Sequence, residues 1–66
     1  MNVSINGEDK TLENDATVAT LIENLGLGAK RVAVEVNRRI IPKADWTETG
    51  LSDDDRVEIV QFVGGG

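Results

Sequence analysis

Apolar and polar residues alternate at the start of the chain: in MNVSING, Met1, Val3 and Ile5 are separated by Asn2 and Ser4. That period of two predicts a strand with one buried face. Asn6-Gly7 follows, and both residues tolerate the positive φ of a tight hairpin turn, so EDKTL is predicted to return as a second strand. The period then changes. Val18, Leu21, Ile22 and Leu25 fall at i, i+3, i+4 and i+7 behind Thr17, a good N-cap, with Glu23 and Asn24 on the polar side. Gly26 can close this helix in the left-handed conformation. A helix of about two to three turns is marginal alone, so its apolar stripe has to pack on a sheet.

In RVAVEVN, Val32, Val34 and Val36 share one face and Ala33 and Glu35 the other, again a strand, and Asn37 opens a turn. RII is a short apolar run closed by Pro42, which confines it to an edge or a strand end because Pro cannot donate to the ladder. KADWTETGLSDDD has no sustained period and reads as an irregular link with a short turn near Trp46. RVEIVQFV is the last strand. One helix for four to five strands, with no repeat or linker between them, predicts an α+β sheet with the helix on one face and the other face open to solvent or a partner.

Composition narrows the chemistry. At 66 residues the chain is one domain at most and buries only about 60% of its unfolded surface, which leaves little room for a pocket. It contains no Cys and no His, so it has no disulfide, no thiol nucleophile, no thiolate or imidazole metal site and no imidazole base. An enzyme acting alone is disfavoured. Twelve acidic against seven basic residues, a net charge of -5, oppose nucleic-acid binding and suit a basic protein face. No run of signal-peptide character opens the chain and no segment has the roughly 20 apolar residues of a membrane span, so it reads as cytoplasmic.

The chain closes on IVQFVGGG. The expected division is a folded domain over 1–63 and a flexible glycine tail over 64–66. Glycines have maximal backbone freedom and the smallest cross-section, and three of them reach roughly 10 Å beyond Val63. Such a tail can enter a narrow channel and deliver the Gly66 α-carboxylate, which is a poor electrophile until an enzyme activates it as an acyl-adenylate. The plain alternative is a frayed end or leftover expression residues. Against it, the glycines abut an apolar strand with no Ser or Lys spacer.

VAVEVNRRIIPKADW, followed by VEIVQFVGGG, resembles the ThiS family, the small sulfur carriers of thiamine biosynthesis; the opening strand with its Asn-Gly turn and the helix ending in NLGLG fit as well. The resemblance implies a ubiquitin-like β-grasp fold, with a mixed sheet whose first and last strands are central and parallel. It implies that Gly66 is the reacting residue, while Gly65 and Gly64 let the tail thread into partner active sites. A ThiF-like adenylyltransferase would use ATP to form the Gly66 adenylate. A sulfur donor system with a cysteine desulfurase would convert this to a thiocarboxylate, and a ThiG-like thiazole synthase would receive the sulfur. The carrier itself would bind no cofactor and no metal. The family commonly has Gly-Asp before the last strand, where this chain has Asp54-Asp55.

Phe62 and Val63, at the root of the tail, fit either the core or an apolar docking patch, with Val63 leaning toward contact. Asp53, Asp54 and Asp55 lack the spacing of a calcium loop and read as a solvated turn. Arg38 and Arg39 read as exposed turn residues, and Trp46 as a clamp on the irregular link. Two rivals share some of these features: a sulfur carrier for molybdopterin synthesis or tRNA thiolation, with the same tail chemistry, and a non-covalent ubiquitin-like binding module that uses the open sheet face.

Overall fold

The computed structural model describes residues 1–27 and 31–62. The opening alternation becomes β1, Asn2–Ile5, and β2, Glu8–Thr11, paired antiparallel with Val3 opposite Lys10. Between them Asn6 has φ 50° and Gly7 φ 84°, the two positive values whose twist matches a hairpin.

The helical pattern becomes α1, Val18–Asn24. Thr17 Oγ1 accepts from the Thr20 N–H at 3.2 Å and Thr20 Oγ1 accepts from the Thr17 N–H at 2.8 Å, a capping box with Thr in the position Glu or Gln usually holds. At the other end the Gly26 N–H (φ 70°) donates to Glu23 O at 3.0 Å and the Leu27 N–H to Ile22 O at 3.4 Å, which satisfies carbonyls left open by the last turn. Val18, Leu21 and Ile22 are buried, at about 1.5–3 kcal/mol each, and that outweighs the weak intrinsic stability of so short a helix. Leu25, assigned to the same stripe from its spacing, is the C-cap and stays 40% exposed.

The remaining strands are β3, Val32–Val36, the two-residue β4, Arg39–Ile40, and β5, Arg56–Gln61. The sheet order is β2-β1-β5-β3-β4, with β1 and β5 parallel and the other pairs antiparallel. The first and last strands thus lie side by side and β5 is the middle of the sheet. The short run before Pro42 is at an edge, as its proline required. The turn from β3 to β4 has Asn37 at φ 51° and Arg38 at φ 70°, so an arginine occupies a left-handed position that costs a Cβ-bearing residue about 1–2 kcal/mol.

The segment after Pro42 is more ordered than its pattern predicts: Lys43–Glu48 forms a 3-10 helix. Trp46 is buried there, and its Nε1–H donates to Ile41 O at 3.0 Å, so the ring clamps the link to the domain and its polar atom is satisfied. The chain then zips onto the start of α1, with the Val18 N–H donating to Thr49 O and the Leu51 N–H to Ala16 O, both at 3.0 Å. The first of these bonds satisfies a helix donor that has no partner within the helix.

The core lies between α1 and one face of the sheet. Val3 and Ile5 of β1, Val34 and Val36 of β3, and Val57 and Ile59 of β5 meet the helix side chains, with Trp46 and Leu51 closing one side. Among the described residues no polar or charged side chain is buried. No helix among them is long and apolar enough to cross a membrane.

Candidate functional site

β5 leads toward the glycines, and it is held differently on its two sides. On the β3 side, pairing runs from Val36 opposite Val57 to Val32 opposite Gln61, and the Phe62 N–H adds a bond to Arg31 O at 2.7 Å. On the β1 side, pairing stops at Ile5 opposite Val57, with the Asn6 N–H donating to Val57 O at 2.9 Å. From there the Asn6 side chain takes over: Oδ1 accepts from the Ile59 N–H at 2.7 Å and Nδ2 donates to Ile59 O at 3.1 Å. A carboxamide carries the same donor and acceptor as a peptide. Asn6 therefore extends the ladder by one peptide after the β1 backbone has turned away into the hairpin.

Val63, Gly64, Gly65 and Gly66, all singled out from the sequence, lie outside the described residues. Phe62 is described, and it is not a core residue: it is 56% exposed. The alternation that buries Val57 and Ile59 sends Val60 to the opposite face of the sheet, and the backbone bond from Phe62 to Arg31 carries the same alternation one step further. Ala33 lies opposite Val60, and Glu35 opposite Ile40. Val60 (52% exposed), Ile40 (74%) and Phe62 thus project from the face that no helix covers. The period of the last strand already held this answer, since Val57 and Ile59 cannot both point inward unless Val60 and Phe62 point outward.

The same face carries an unfavourable charge arrangement. Glu35 on β3 is directly opposite Glu58 on β5, a register at which like charges are destabilising. Among the described residues neither carboxylate is in an ion pair; the one such pair is Lys10 Nζ to Glu8 Oε2 at 3.9 Å, on β2. The Asp run at the other end of β5 is accounted for by hydrogen bonds that hold the turn, two from backbone amides and one from a side chain. Asp53 Oδ1 accepts from the Asn2 N–H at 2.7 Å, and Asp55 accepts from the Ser52 N–H at 2.8 Å and from Asn37 Nδ2 at 2.9 Å. Asp54 has φ 70° and its N–H donates to Asn2 O at 2.7 Å, so it adopts the left-handed geometry that a glycine would adopt with less strain, and the turn is intact. No group of three or more His, Cys, Asp or Glu side chains among the described residues is arranged to hold a metal ion. What the arrangement presents is a firmly paired central strand, a strand end, and an apolar face beside it.

One α-helix laid across a five-stranded mixed sheet, with the first and last strands parallel at its middle, is what the described residues build, and it defines a ubiquitin-like β-grasp protein. Solved structures agree: the chain superposes on the crystal structure of the thiamine biosynthesis protein (ThiS) from Geobacter metallireducens with a TM-score of 0.85 and 32% identity, covering 100% of both chains. The chain belongs to the ThiS family, whose sequence model matches residues 3–66. It is 42% identical to the sulfur carrier protein ThiS of Bacillus subtilis (strain 168), over 97% of this chain and 98% of that one. It is also 41% identical over its whole length to a thiazole synthase of Paramagnetospirillum magneticum, of which it spans only 20%. A second thiazole synthase, from Magnetococcus marinus, matches at 35% identity over the same 20% share.

Proposed function

We propose that this chain is a sulfur carrier for the thiazole moiety of thiamine, a protein co-substrate whose Gly66 carboxylate is the reacting group. The carboxylate attacks the α-phosphate of ATP in the site of a ThiF-like adenylyltransferase, releasing pyrophosphate and leaving an acyl-adenylate. A persulfide on a donor system fed by a cysteine desulfurase attacks the adenylate carbonyl and displaces AMP; a thiol of that donor system then cleaves the S–S bond of the acyl persulfide, forming a disulfide and releasing the thiocarboxylate. A ThiG-like thiazole synthase then takes the sulfur. The observation that carries this reading is the family match, which runs through the glycines to residue 66 and agrees with the near full-length identity to a protein named as a sulfur carrier. The match to a fifth of two thiazole synthases supports the thiazole branch over other sulfur pathways.

The geometry fits this role. A sulfur carrier needs no acid, base or metal of its own; it needs a rigid body and a narrow end to deliver. Residues 63–66 span at most about 13–14 Å beyond Phe62, at roughly 3.3–3.6 Å per residue. An active site that takes Gly66 must therefore lie within that distance of Phe62, so the enzyme has to rest against the end of β5 and the face beside it. Phe62, Val60 and Ile40 supply apolar area for that contact, and Gly64 and Gly65 supply the thin segment that threads the channel. Deleting Gly65 and Gly66 tests the reading: the shortened chain should keep its unfolding midpoint and lose all support of thiazole formation in a reconstituted system. Retention of partner binding and full activity would favour a non-covalent binding module.

A further inference from the structure

The open sheet face holds a feature that folding does not explain. Glu35 and Glu58 face each other across adjacent strands, flanked by the exposed Ile40 and Val60, and Phe62 continues the apolar patch to the root of the tail. Within the strands the other charges on this face are Arg56, diagonal to Glu35 on β5, and Asp9 on β2, while Arg31 precedes β3 beside Phe62; Arg56 makes no ion pair with either carboxylate. A like-charge pair kept on a surface that any polar residue would suit opposes folding, and sites that break a local rule in this way are the ones shaped by function.

Resting on the reading as a carrier, we infer that this face docks on an enzyme surface that is apolar opposite Val60, Ile40 and Phe62 and places an Arg or Lys side chain between Glu35 and Glu58. A guanidinium there turns the repulsion into two charge-assisted hydrogen bonds, so the carboxylates choose the partner and the apolar residues supply the contact area. The pair also argues against a second copy of this chain as the occupant. Two such faces brought together would oppose four carboxylates. The net charge of -5 adds attraction toward a basic surface and makes association sensitive to salt.

The test measures binding of the full chain to a purified ThiF-like adenylyltransferase that is active on it, by calorimetry at several salt concentrations. Wild type is compared with Glu35→Gln/Glu58→Gln and with Val60→Ser. The double Gln variant should bind at least about tenfold more weakly, with a flatter salt dependence, while its unfolding midpoint equals or exceeds that of wild type. A merely structural role cannot produce weaker binding in a more stable protein. Val60→Ser should weaken binding and leave the salt dependence unchanged. Unchanged affinity and salt slope in the double Gln variant overturn the inference, as does a dimer of the wild-type chain in sedimentation that Val60→Ser disperses. If wild type binds no such enzyme and is not adenylated, it is the carrier reading that fails.

Discussion

Asn6→Ala isolates the contact that replaces β1 backbone at the middle of the sheet. The substitution removes both side-chain bonds to Ile59, at 2.7 and 3.1 Å, and leaves alanine at φ 50°. At about 1 kcal/mol per hydrogen bond and about 1 kcal/mol for a left-handed residue with no side-chain compensation, the loss is about 3 kcal/mol. For a domain of this size each kcal/mol moves the midpoint by about 4–8 °C, so a fall of roughly 12–24 °C is expected. Two companions separate the contributions. Asn6→Gly removes the bonds and relieves the backbone, and should cost about 2 kcal/mol. Asn6→Asp keeps tolerance of the turn but sets a carboxylate oxygen against Ile59 O, and should cost about 1–2 kcal/mol. Urea unfolding followed by the fluorescence of Trp46, the one tryptophan, gives the free energies, and hydrogen exchange at the Ile59 amide reports the ladder directly. An Asn6→Ala protein within about 0.5 kcal/mol of wild type, with Ile59 exchange unchanged, would show that the side chain does not extend the ladder.

Other expectations follow from single contacts. Asp54→Gly should stabilise the domain by about 0.5–1 kcal/mol, because φ 70° strains any residue with a Cβ and the Asp54 side chain makes no bond among the described residues to offset it; a midpoint that falls would mean the carboxylate is needed. Trp46→Phe should cost about 1–2 kcal/mol through the orphaned Ile41 carbonyl, and Trp46→Ala about 3–5 kcal/mol, enough to unfold much of the population; both are read by circular dichroism. Glu58→Gln alone should leave stability unchanged or raise it by up to about 1 kcal/mol in thermal unfolding, because it relieves the pair with Glu35.

The parts of the fold that depend on neighbours in sequence were legible in it. The Asn6-Gly7 turn, the Thr17 cap and the Gly26 stop are local devices, and each stands where its residues point. The 3-10 helix was not legible, since six residues with one buried side chain, Trp46, give no period to read. Leu51 reaches the core only because the link pairs with the start of α1. The second task of Asn6 was hidden for another reason. Its partner Ile59 is 53 residues away, and a residue that already satisfies a turn signal raises no further question. The alternation of VAVEV and RVEIVQ put Glu35 and Glu58 on the polar side of their strands, but only the register sets them against each other. Phe62 was decidable from the parity of β5, whereas the reactivity expected of Gly66 came from resemblance and from no physical signal beyond its narrow, unbranched tail.

The most direct measurement is the intact mass of the chain after incubation with ATP, a ThiF-like adenylyltransferase and a sulfur donor, beside a control lacking Gly65 and Gly66. The carrier account requires a mass increase equal to exchanging one oxygen for sulfur, localised to Gly66 and absent from the control. An unchanged mass, with the same enzyme shown to modify another ThiS protein in the same mixture, would contradict it.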